Sequence, residues 1–120
     1  MFRVYARSLG AGLVLLGGAC MLGVGTTNPM VDLEHLAVGG LLWYAGCGDR
    51  DEAFAREMVG GLGLIYLFAG ALASAADAAL PLASADPHNG ILLNQGVHLT
   101  VGLSNVAAYA FLPWKPEPGR

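Results

Sequence analysis

Every basic residue of this chain falls on alternate connections between its apolar stretches. Arg3 and Arg7 precede the first stretch, Arg50 and Arg56 separate the second from the third, and Lys115 and Arg120 follow the fourth. The intervening connections, 26–31 and 81–90, hold no Lys or Arg. Four stretches that cross a bilayer in alternating directions bring all six basic residues to one face, and cytoplasmic loops carry that excess. The pattern predicts an all-α, four-helix transmembrane bundle with both termini in the cytoplasm.

The 120 residues make one domain, 1–120, and are 55% hydrophobic and only 12% charged; a soluble domain carries about 25% charged residues. The predicted spans are 8–26, 31–46, 57–80 and 91–114, against the ~20 apolar residues that spanning needs. The second is short and opens with Asp32 and Glu34, so it must extend into its flanks, thin the bilayer, or lie as a re-entrant or interfacial segment. Phe2, Tyr5, Trp43, Tyr44, Phe54, Tyr109, Phe111 and Trp114 gather near the predicted inner interface, where amphipathic rings are favoured. The proline-rich tail 113–118 leaves the helix and extends into the cytoplasm.

A competing reading of the N-terminus is a lipoprotein-type signal ending at Gly17-Gly18-Ala19-Cys20. The usual Leu three residues before the Cys is replaced by Gly17, and apolar character continues through Met21, Leu22 and Val24, which favours an uncleaved helix. Cys20 and Cys47 fall at opposite ends of their spans, too far apart for a disulfide, and read as small apolar fillers.

The chain also repeats itself. His35-Leu36-Ala37-Val38-Gly39 opens the second span and His98-Leu99-Thr100-Val101-Gly102 lies in the fourth. The preceding spans align Gly12-Leu13-Val14 with Gly63-Leu64-Ile65. This predicts two tandem helical hairpins of the same orientation, related by an axis along the membrane normal. Helical spacing puts Asn94, His98, Gly102, Asn105 and Tyr109 on one face of the fourth span. Gly63, Tyr66, Gly70, Ser74 and Asp77 share a face of the third, and His35, Gly39, Trp43 and Gly46 a face of the second. Polar groups in a span turn inward. The expected interior is a polar cluster in the outer half: Asp32, Glu34, His35, Asp77, Asn94 and His98, with Asp86 and His88 in the adjoining loop. Gly17, Gly18, Gly39, Gly70 and Gly102, with Ala69 and Ala73, are expected to let helices approach closely.

Three roles fit such a cluster. The histidines can hydrogen-bond between helices and fix packing. They can ligate a haem, another tetrapyrrole or a metal through His35 and His98. They can relay protons, although apart from Glu57 at the inner boundary of the third span no charged residue continues into the inner half of any span. No site in the sequence has the ligand spacing of a metal motif, and no phosphate loop, nucleophile elbow or HExxH element is present. Without a basic cluster, nucleic acid is not an expected partner.

Asn28…His35-Leu36…Gly39, Gly63…Tyr66…Gly70 and Asn94…His98-Leu99…Gly102 together resemble an uncharacterised bacterial family of four-helix membrane proteins, catalogued as a domain of unknown function. The resemblance covers about residues 7–112, and Asn94 stands where the pattern has an Asp. It implies the four-helix fold and a bacterial inner membrane, and no activity. The expectation is a multi-pass accessory or structural subunit without catalysis or a resident cofactor of its own. Its partners are the lipid bilayer and other membrane helices, from a second protein or a second copy. A His35/His98 cofactor protein is the alternative.

Overall fold

The structure, a computed structural model, describes residues 1–24, 29–47, 51–79 and 90–114, with the side chains of all of these except 76–79 and 90–94. It is all-α. Four helices run α1 (Phe2–Met21), α2 (Pro29–Cys47), α3 (Glu52–Ala79) and α4 (Gly90–Phe111), with no strand among the described residues.

Local chemistry sets the helix ends. α1 stops at Met21, short of the expected 26, because Gly23 adopts a left-handed φ of 90°. The Gly23 N–H then donates to Cys20 O at 2.9 Å and the Val24 N–H to Ala19 O at 3.0 Å, the Schellman termination that glycine permits. α1 also begins earlier than expected, so Arg3 and Arg7 lie within its first two turns. Pro29 opens α2, where a first-turn residue needs no N–H; the helix reaches 19 residues, beyond the expected 31–46 at both ends. Asp51 caps α3, its Oδ1 accepting the Phe54 N–H at 2.8 Å. Pro113 follows the end of α4.

Glycine sets the packing. α1 lies along α2 so closely that a Cβ on Gly10 would come within 2.5 Å of Trp43 N, and one on Gly17 within 2.7 Å of Asp32 O. From the other side, a Cβ on Gly39 would meet Val14 N at 2.8 Å. The second hairpin repeats the arrangement: a Cβ on Gly63 would stand 2.5 Å from Asn105 Cβ, one on Gly70 3.0 Å from His98 Cβ, and one on Gly102 would collide with Leu67. Gly10 and Gly17 therefore correspond to Gly63 and Gly70, and Gly39 to Gly102. This moves the expected register by two residues, since Gly12, which the sequence aligns with Gly63, faces open space. In the corrected register Ala6 matches Val59, Leu13 matches Tyr66, Val38 matches Val101 and Leu42 matches Asn105, and all eight are buried. The two hairpins meet through α3, which packs on both α1 and α2.

One end of the bundle collects the described basic residues. Gly46 of α2 is pressed against the backbone of Arg3 and Arg7. The Met1 ammonium pairs with Glu52. The Arg56 guanidinium lies 3.8 Å over the Tyr109 ring and 4.9 Å from that of Trp114. Tyr44 and Phe54 meet edge to face at 6.4 Å. Phe2, expected at the interface, is instead wholly buried core at this end, and Phe111 is exposed. α1 and the Glu52–Ala75 part of α3 are long and apolar enough to cross a membrane.

Candidate functional site

The repeat brings its two histidines together. His35 and His98 occupy matching positions on α2 and α4, and their ring centroids stand 5.7 Å apart. Tyr66 of α3 joins them, stacked on His98 at 4.7 Å and edge-on to His35 at 6.3 Å. The room for this comes from Gly70, one turn above Tyr66, which lets α4 approach with His98 against it. Asp32 and Gln95, each three residues before a histidine, are also buried.

The two histidines differ in their partners. His98 Nε2–H donates to Glu34 Oε1 at 3.0 Å, across from α4 to α2. His35 is 2% exposed, yet neither of its ring nitrogens has a hydrogen-bond partner among the described residues. The same holds for the Tyr66 hydroxyl and for both amide atoms of Asn105, two side chains with no exposed surface. A buried polar group left unpaired costs about 1–3 kcal/mol. These three residues form a polar column that passes the histidine level and continues down α4 to Asn105, about two helical turns (roughly 10 Å) further on.

The expected cluster is assembled in part. Asp32, Glu34, His35 and His98 come together; the side chains of Asp77 and Asn94, and residues 86 and 88, lie outside the described residues. Gln95 holds the place equivalent to Asp32. The repeat carries this signal, because both residues precede their histidine by three positions. Helical spacing puts Tyr66 and Asn105 on the right faces without marking them as members of the cluster. Trp43 turns its side chain outward, and Leu42 fills the core instead. Ser74 donates to Gly70 O at 2.8 Å within its own helix. Gly17, Gly39, Gly70 and Gly102 serve contacts inside the bundle, whereas Gly18 faces open space.

Among the described residues, no three His, Cys, Asp or Glu side chains are grouped to hold a metal ion. Cys20 is buried and Cys47 exposed, both as free thiols. Fold and site thus define an all-α bundle of two matching hairpins with a histidine-centred polar interior and large apolar side chains outside. Comparison with family models, curated proteins and solved structures gave no match, so the likeness to a four-helix membrane family rests on the short motifs that first indicated it.

Proposed function

We propose that this chain is a multi-pass protein of a bacterial inner membrane, with four spans and cytoplasmic termini, acting as an accessory or structural subunit that packs against other membrane helices. The observation that carries the reading is the inverted distribution of polarity. Asp32, His35, Gln95, His98 and Asn105 are inside, while Leu15 and Phe68 are 72% and 71% exposed and Leu64, Ile65, Leu72, Leu103 and Phe111 also face outward. In water this places the apolar surface on the wrong side; in lipid it is the favourable arrangement, since polar groups in spans turn to the bundle interior. The described basic residues at one bundle end accord with the positive-inside orientation.

Docking onto other helices is supported by small residues left over after the bundle is built. A Cβ added at Gly12, Gly18, Gly40, Gly61 or Gly96 would meet nothing within 4 Å, and Ala73 is exposed. Such positions let a second backbone approach closely. The packing role is tested on the purified protein: His35→Ala and His98→Ala should alter stability alone, in a protein free of colour and metal. The second reading, ligation by His35 and His98, is favoured by their 5.7 Å juxtaposition, though Glu34 already engages His98 Nε2. A visible absorbance band lost in either variant would establish ligation and end the pure packing account.

A further inference from the structure

Three titratable side chains, drawn from both hairpins, meet at the histidine level. Glu34 of α2 accepts the His98 Nε2–H of α4 at 3.0 Å, and the His98 ring stands 5.7 Å from that of His35. The charges that act on His35 are those of His98, Glu34 and Asp32. The other helices add no charge at this level among the described residues. α3 presents the neutral Tyr66 ring, and from Ser8 to Met21 the one titratable group of α1 is the buried Cys20 thiol. Gln95, buried one turn from His98 on α4, is neutral.

The group opens toward one end of the bundle. Asp32, His35 and His98 are buried, but the Glu34 side chain is 38% exposed. Glu34 is the sixth residue of α2, about 7–8 Å along the helix from its first. In the other direction the core is closed by the apolar side chains of Leu42, Val59, Ala55 and Phe2. Protons therefore have a route to the histidines through the Glu34 carboxylate, from the end where α2 begins.

The same level is where the bundle is least closed. α3 packs on both α1 and α2, whereas α1 and α4 leave between them an open groove of about 470 Å³, with Leu13 and Leu16 on one wall and Gly96 and Val97 on the other. The Glu34–His98 bond ties α4 to the first hairpin beside this groove. Gly96 and Val97 adjoin His98 in sequence, so a shift of His98 carries the groove wall with it. With Glu34 ionised, its charge offsets that of one protonated imidazole. Acid protonates the second imidazole as well, which sets two like charges 5.7 Å apart away from water, and neutralises the carboxylate that offset the first. The repulsion acts between α2 and α4, and α4 yields by swinging about α3 on the side that nothing fills.

We propose that Glu34, His98 and His35 form a pH-sensitive latch between the hairpins, which acid at the outer face releases so that α1 and α4 move apart. The inference rests on the membrane reading, which gives the chain an outer face, and it adds a response to pH to the packing role of the histidines.

The test is the distance between two spin labels, measured by electron paramagnetic resonance on the full-length protein in phosphatidylcholine vesicles of known orientation. In a Cys20→Ser, Cys47→Ser background the labels are carried by Leu15→Cys on α1 and Leu103→Cys on α4, both outward-facing positions. Acidifying the outer side from about pH 8 to about pH 5, the range in which histidine changes charge, should lengthen the distance reversibly by about 2 Å or more. A pair within the second hairpin, Phe68→Cys with Leu103→Cys, should keep its distance. His35→Gln leaves the Glu34–His98 bond in place and removes the second charge, so it should abolish the response. His98→Gln should do the same, and it keeps the measurement decisive if His35→Gln fails to fold. An unchanged Leu15–Leu103 distance with both histidines present, a response that survives in both histidine variants, or an equal change in the Phe68–Leu103 pair would overturn the proposal. So would a response to acid on the inner side alone. A chain shown to have four spans that does not respond refutes the latch alone; a chain without four spans refutes the membrane reading as well.

Discussion

The two hairpins share a backbone plan and differ in what they bury. In α1–α2 two matched core positions are Leu13 and Leu42; in α3–α4 the same positions hold Tyr66 and Asn105, and all four are buried. The close approaches at Gly10, Gly17 and Gly39 are repeated at Gly63, Gly70 and Gly102. Glycine placement thus fixes the geometry of each half, and the residues between the glycines are free to diverge. Apart from Asp32 and His35, the described buried residues of the first half are apolar. The second carries polar groups that its own packing leaves unpaired, and Glu34 of the first half reaches across to its histidine.

Exchange of core residues between the halves tests this with the largest expected effect. Leu42→Asn should cost about 2–5 kcal/mol, combining a lost apolar side chain with a buried amide. Asn105→Leu should be within about 1 kcal/mol of neutral, because relief of the unpaired amide offsets crowding against α3 near Gly63. Unfolding in mixed micelles measures both; a loss at Asn105→Leu as large as at Leu42→Asn would show that the halves are not different in kind.

Next in size are the shared glycines. Gly39→Ala and Gly102→Ala should each cost about 1–3 kcal/mol by forcing the helices of a hairpin apart, while Gly12→Ala, facing open space, should be neutral or stabilise by up to about 1 kcal/mol. Equal effects at Gly12 and Gly39 would restore the register read from sequence. Smallest is the histidine asymmetry. A double-mutant cycle between Glu34 and His98 should give a coupling of about 0.6 kcal/mol, the usual size between membrane helices, and the cycle between Glu34 and His35, which share no hydrogen bond, a smaller one.

Much of the architecture was legible in the residues. Apolar length and the alternation of Arg and Lys marked four helices, and the His-Leu-x-Val-Gly repeat marked two hairpins whose histidines meet. The register of α1 against α3 was not legible, because Gly12 and Gly10 are equivalent as letters and only their spacing to Gly17 distinguishes them: Gly10…Gly17 matches Gly63…Gly70. Helix ends were missed where short-range capping overrides apolar pattern, as at Gly23 and Asp51. Gln95 was missed because helical spacing alone does not mark it, and the repeat has to be applied residue by residue to align it with Asp32. The Glu34–His98 bond joins two helices that sequence periodicity treats one at a time.

The proposed insertion of two parallel hairpins in one membrane is read by a single labelling experiment. In a Cys20→Ser, Cys47→Ser background, single cysteines are placed at Thr27 and Asp86, the outer connections of the first and second hairpins, and at Arg50 between them. An impermeant maleimide applied to intact cells stripped of their outer membrane should label Thr27→Cys and Asp86→Cys, and should label Arg50→Cys only after the membrane is opened. Labelling of Thr27→Cys and Asp86→Cys from opposite faces, or of Arg50→Cys from outside, would contradict the paired, inside-out membrane bundle.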